Sequence, residues 1–172
     1  LCGRNFEYDS EDPLLAGKIA AAMVRGIQSR HIAATVKHFA CNNKETNRKN
    51  SDSCLSQRAL REIYLRAFEI TVREAGPWAI MSSYNIINGH RASECRELLT
   101  GILRDEWGYT GVVMTDWWTK GEHYKEILAG NDLKMANGYP ERVRQAMNLG
   151  LLSRSDLEVC ARRILELILK ID

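Results

Sequence analysis

Two hydrophobic rhythms alternate along this chain, and their order predicts its architecture. Four times, a short apolar run is followed by residues with helical periodicity. The runs fall at about 34–38, 78–83, 112–115 and 132–135, and the third, Val112-Val113-Met114, reads as a strand buried on both faces, as in a parallel sheet. Helices are expected at about 13–29, 56–74, 96–106, 124–129, 141–147 and 155–169. In the second of these, Leu60, Ile63, Tyr64, Ala67, Phe68 and Thr71 recur at three- and four-residue spacing, which predicts one inward stripe ended by Gly76-Pro77. The last opens with a capping box, Ser153 to Asp156, and should turn Leu157, Cys160, Ala161, Ile164 and Ile168 inward.

Strands alternating with helices imply an α/β fold with a parallel sheet and right-handed crossovers. About four βα units make half of a (β/α)8 barrel, which typically needs about 250 residues. The expected fold is therefore a partial (β/α)8 TIM-type barrel, with a small doubly wound sheet left open because strand order is not legible. All four strands end in polar groups: Lys37-His38, Tyr84-Asn85, Asp116-Trp117 and Lys134. Such groups converging at one end of a sheet describe an active-site face. The polar stretch 41–54 directly follows Lys37-His38 and reads as a long binding loop.

Composition narrows the function classes. The 172 residues suffice for a sizeable core, and 45% hydrophobic and 27% charged residues suit a globular domain. A net charge of +2 argues against nucleic acid or an anionic membrane as partner. No apolar run approaches bilayer length. Leu1-Cys2-Gly3 does not look like a native start, so the lack of a secretory signal says nothing of export. The five cysteines (Cys2, Cys41, Cys54, Cys95, Cys160) are odd in number and without Cys-x-x-Cys, which points to free thiols in a reducing compartment, the cytoplasm favoured. Four scattered histidines lack ligand spacing, so no metal site is expected.

Four motifs then stand in register. They are Gly3-Arg4-Asn5-Phe6-Glu7-Tyr8 with Ser10-Glu11-Asp12-Pro13; Val36-Lys37-His38-Phe39-Ala40-Cys41-Asn42-Asn43 through Glu45-Thr46-Asn47-Arg48; Met81-Ser82-Ser83-Tyr84-Asn85; and Val113-Met114-Thr115-Asp116-Trp117. With them the chain resembles the barrel domain of glycoside hydrolase family 3, the β-glucosidase family. The resemblance implies a retaining glycosidase without cofactor that acts on a β-glucoside or oligosaccharide. It maps the nucleophile onto Asp116 and sugar-binding groups onto Arg4, Lys37, His38, Arg48, Tyr84 and Trp117.

The chemistry suits these residue types. Retaining hydrolysis needs two carboxylates roughly 5–5.5 Å apart, one to attack the anomeric carbon and one to handle the proton. Charged donors suit sugar hydroxyls because charge-assisted hydrogen bonds are strong and directional. A lysine in a buried strand needs a partner, which favours a role for Lys37. Trp118 is expected to pack, and Glu7, Glu11 and Asp12 to serve turns and a helix start, not as a second catalytic carboxylate.

Two departures matter. The family's β-N-acetylglucosaminidase branch has Pro-Gly-His-Gly after Lys-His-Phe, whereas Ala40-Cys41-Asn42-Asn43 stands here, which implies a glucosidase or xylosidase. The first barrel strands and the α/β sandwich domain carrying the acid/base are absent, so this chain is expected to be one segment, completed by the rest of its protein or by self-association. The rivals are an inactive sugar-binding or structural fragment, a β-xylosidase, and a phosphate-binding barrel isomerase or aldolase. No glycine-rich phosphate loop follows the later strands, which disfavours the last.

Overall fold

The computed structural model describes residues 3–172; Leu1 and Cys2 lie outside the described residues. Three strands form the central parallel sheet: β1 (Thr35–Phe39), β3 (Ala79–Ser82) and β6 (Val112–Thr115), in the order β1-β3-β6. Neighbours in the sheet follow chain order, as in a barrel, without the order reversal of a doubly wound sheet. The architecture is α/β, a partial (β/α)8-type barrel. The expected fourth strand is reduced to a single bridge, Met114 to Leu133. Asp132 is the reason. Its Oδ2 accepts the Val113 N–H at 2.8 Å, so a side chain takes the place of a ladder carbonyl.

The helices are α1 (Pro13–Gln28), α2 (Gln57–Ala59), α3 (Arg66–Ala75), α4 (His123–Ala129), α5 (Pro140–Asn148) and α6 (Arg154–Ile171). Asp12 caps α1 by accepting the Leu14 and Leu15 N–H groups, and the expected capping box of α6 is present. One expected stripe is re-registered. Between α2 and α3 the residues Leu60–Tyr64 form a π-turn, with Leu65 N–H donating to the Leu60 carbonyl at 2.8 Å. That extra residue turns Leu65 inward and leaves Ile63 and Tyr64 exposed. The helix expected near 96–106 is likewise π-helical over Glu97–Glu106. In α6, Cys160 is buried and Leu157 and Ile164 half-buried, but Ala161 and Ile168 are exposed.

The core lies between sheet and helices, with Phe39, Ile80, Val113, Leu65, Leu99, Ile102 and Leu103 at its centre. Phe39 meets Phe68 and Trp107 edge-on, with centroids 5.1 and 5.8 Å apart. Helix α1 lies tightly on α3 because Gly17 has no side chain; a Cβ there would stand 2.8 Å from that of Ile70. The loop 41–54 is not wholly irregular. It ends in β2 (Asp52–Ser53), which pairs with β4 (Ile86–Ile87), itself in a hairpin with β5 (His90–Arg91). This second small sheet follows the C-terminal ends of β1 and β3, ties both exits together and so fixes the rim of the candidate site.

Candidate active site

The side chains of the site converge where β1, β3 and β6 end. In β1 the pairing register slips by one: Val36 sits opposite Ile80, yet Phe39 sits opposite Ser82. Strict alternation would send Lys37 and His38 to opposite faces. The inserted residue breaks that alternation, and the two side chains meet, Lys37 Nζ lying 3.4 Å from His38 Nε2. The Lys37–His38 and Phe39–Ala40 peptide bonds are cis.

Asp116 follows β6 directly and is anchored by its backbone, its N–H donating to the Ser82 carbonyl at 3.0 Å. Its two carboxylate oxygens are not equivalent. Oδ1 accepts the Trp117 N–H at 2.7 Å, whereas Oδ2 is buried and accepts no hydrogen bond among the described residues. His38 Nε2 lies 3.7 Å from Oδ2. Burial holds the His38 imidazole down to about 4; Asp116 pulls it up, and Lys37 pushes it down further. His38 is therefore neutral near pH 7, with a single ring N–H. Lys37 approaches Nε2 with donors only, and Nδ1 lies 3.3 Å from the Tyr8 hydroxyl, which assigns the proton to Nδ1. Oδ2 of Asp116 is then left without a donor from His38.

The remaining expected residues surround this pair. Arg4 is buried between two carboxylates, pairing with Glu7 and, through Nη1 at 2.6 Å, with Glu45. Arg48 stands over the Tyr84 ring, 5.1 Å from its centroid, and 3.7 Å from Glu45. Burial pushes the Tyr84 phenol up, the Trp118 N–H donating to it at 3.1 Å pulls it back, and the Asp116 carboxylate adds to the rise. Trp117 is 44% exposed, its ring open to a ligand.

The geometry corrects three expectations. Lys37 is half exposed and not a strand-buried cation; its partner is Glu7 at 3.3 Å. Trp118 does not pack: it is 58% exposed and carries the Lys49 ammonium 5.2 Å over its ring. Glu7 does more than form a turn, since it bridges Arg4 and Lys37 and lies 4.0 Å from His38. Glu45, part of the second motif but given no role, and Lys49 also belong to the cluster; their signal is their place in the polar loop after Lys37-His38. Glu11 and Asp12 lie at the start of α1, as expected.

No group of three or more His, Cys, Asp or Glu among the described residues is placed to hold a metal ion. The four described cysteines are free, and no helix among the described residues is long and apolar enough to cross a membrane. Two cavities of about 380 Å³ lie elsewhere, one beside Trp107 and Lys170, the other beside His123 and Tyr139.

The chain matches known proteins. Residues 2–167 match the model of the glycosyl hydrolase family 3 N terminal domain. Beta-glucosidase A of Butyrivibrio fibrisolvens is 67% identical over 158 residues, which is 92% of this chain and 19% of that protein. Exo-alpha-(1->6)-L-arabinopyranosidase of Bifidobacterium longum is 45% identical over 99% of the chain and 23% of its own length. Among solved structures, beta-glucosidase 3B from Thermotoga neapolitana in complex with glucose superposes with a TM-score of 0.94 at 45% identity, over 99% of this chain and 25% of that one. The chain thus spans about a fifth to a quarter of these relatives. On the family match and these identities, the chain belongs to glycosyl hydrolase family 3.

Proposed function

We propose that these 172 residues carry the nucleophile half of a retaining β-glucosidase that removes terminal non-reducing β-D-glucosyl residues. One observation carries the reading. Asp116 presents a buried carboxylate oxygen that nothing hydrogen-bonds, at a strand end ringed by Lys37, His38, Arg48 and Tyr84. Oδ1, engaged by the Trp117 N–H, holds the carboxylate plane, and Oδ2 attacks the anomeric carbon to form a glycosyl-enzyme. Arg4, Lys37, Arg48 and the neutral His38 bind sugar hydroxyls, and Trp117 offers a face for the ring. Glu7 and Glu45 hold those cations in place and are committed to them.

The proton for the leaving group then comes from a carboxylic acid outside these residues. The rest of a barrel and a sandwich domain, or a second copy, completes the assembly. In support, β1 ends the sheet on one side, and α1 exposes Leu15, Ile19, Met23 and Ile27 at four-residue spacing. Relatives named beta-glucosidases favour glucose over the alternative, xylose, and the 45% identity to a protein named as an arabinopyranosidase makes a panel of aryl glycosides the natural assay. The decisive experiment traps the complete enzyme with a 2-deoxy-2-fluoroglucoside and maps the labelled peptide. The label is expected on Asp116; a label elsewhere, or none with full turnover, overturns the assignment.

A further inference from the structure

Lys134, expected at a strand end, has no part in the proposed reaction, and it is not idle. Its side chain is 5% exposed and pairs with the fully buried Glu126, Nζ to Oε2 at 2.6 Å. The same ammonium donates to Thr119 Oγ1 at 2.7 Å, and that hydroxyl donates to Glu126 Oε1 at 2.6 Å. Three side chains thus close a ring of hydrogen bonds, with Ser93 also donating to Glu126 Oε1 at 3.1 Å. Thr119 sits in the loop 116–121, three residues past Asp116 and two past Trp117. The loop's side-chain tie from Lys120 to Asn50 is exposed, and Trp118 is held by a single bond to Tyr84. Gly121 lies against Glu126 so closely that a Cβ would stand 2.5 Å from Oε1.

We propose that Lys134 is a positioning residue: with Glu126 it pins Thr119 and thereby fixes the loop that presents Trp117 to the sugar. The inference rests on the sugar-binding reading above. A buried pair holds a loop better than an exposed one because screening and side-chain entropy weaken surface pairs. Breaking it by removing one partner strands a buried charge, which confuses anchoring with folding. The informative variants therefore leave no stranded charge. Thr119→Val removes the loop's end of the ring and keeps Lys134 on Glu126. Thr119→Ser restores the hydroxyl. The pair Lys134→Met with Glu126→Met removes both charges together.

Hydrogen exchange of the 117–121 amides in the complete enzyme tests the anchor without turnover. It should quicken at least about tenfold in Thr119→Val, the effect of one lost net hydrogen bond, and return in Thr119→Ser. KM for an aryl β-glucoside and Ki for glucose should rise about tenfold in Thr119→Val, with kcat little changed. In the double methionine variant, which strands no charge, Tm should stay near the wild-type value while KM and Ki rise as in Thr119→Val. Unchanged exchange overturns the anchor. Faster exchange with unchanged KM and Ki overturns the link to the sugar, as does a double methionine variant with wild-type KM and Ki. A wild-type enzyme that cleaves no glycoside and binds no glucose refutes the glucosidase reading and this link with it, while the exchange result still decides the anchor.

Discussion

Acidification from pH 7 to pH 5 should destabilise this protein through His38. In the unfolded chain an imidazole titrates near 6.5, whereas burial holds the folded one down to about 4. A base whose folded value is depressed is protonated more readily when unfolded. Its contribution is therefore complete above about pH 6.5, shrinks as pH falls through that value, and is gone below about 4. Integrating between those limits, His38 alone removes about 2 kcal/mol by pH 5 and about 3 kcal/mol by pH 4. For a chain of this length about 2 kcal/mol corresponds to a Tm shift of roughly 4–8 °C. Carboxylates, and His123, which burial and Lys134 also hold down to about 4, titrate over the same range. The assay is accordingly a difference: Tm of wild type and of His38→Gln, each at pH 7 and pH 5. Wild type should lose several degrees more than the variant, which has no proton to gain. Parallel losses in both would refute the claim that burial dominates over the attraction of Asp116.

The cations proposed to bind sugar offer a second test: Arg4→Ala, Lys37→Ala and Arg48→Ala should each lower kcat/KM of the complete enzyme about 10²-fold, roughly 3 kcal/mol of transition-state binding. Near-normal values in all three would show that the cluster does not meet substrate. Asp132 tests the frame behind the site, since its carboxylate receives Arg104 at 2.8 Å, Arg163 at 2.9 Å and the Val113 N–H. Asp132→Ala strands a buried arginine and should cost about 3–5 kcal/mol, lowering Tm by roughly 6–20 °C. A loss under about 2 °C in a thermal melt would mean that β6 and α6 are held by apolar contact alone.

Much of the candidate site was legible because four motifs resemble those of the family, and the resemblance carries its residue roles onto these positions. Asp116, Lys37, His38, Arg48 and Tyr84 occupy strand ends or the loop behind them, and the structure brings them together. What misled was local regularity. A strict helical period placed Ile63 and Tyr64 inward, but the π-turn at Leu60–Tyr64 shifted the face by one residue. An apolar-looking run at 132–135 read as a strand, yet its first residue is a carboxylate that caps Val113 and draws two arginines. Glu7 looked like a turn residue because nothing in its neighbours in sequence reveals Lys37 or His38, thirty residues away.

Chain order and periodicity determined what depends on near neighbours: alternating strands and helices, the caps at Asp12 and Ser153, and the residue types at each strand end. Tertiary structure alone decided what depends on distant ones. The slipped register of β1 places Lys37 beside His38, and the packing around Asp116 leaves Oδ2 bare while Oδ1 is held. Burial, which depends on every element at once, makes His38 neutral and closes Lys134, Glu126 and Thr119 into a ring. Covalent order sets which groups are available, but distance and dielectric, which belong to the folded molecule, set what those groups do.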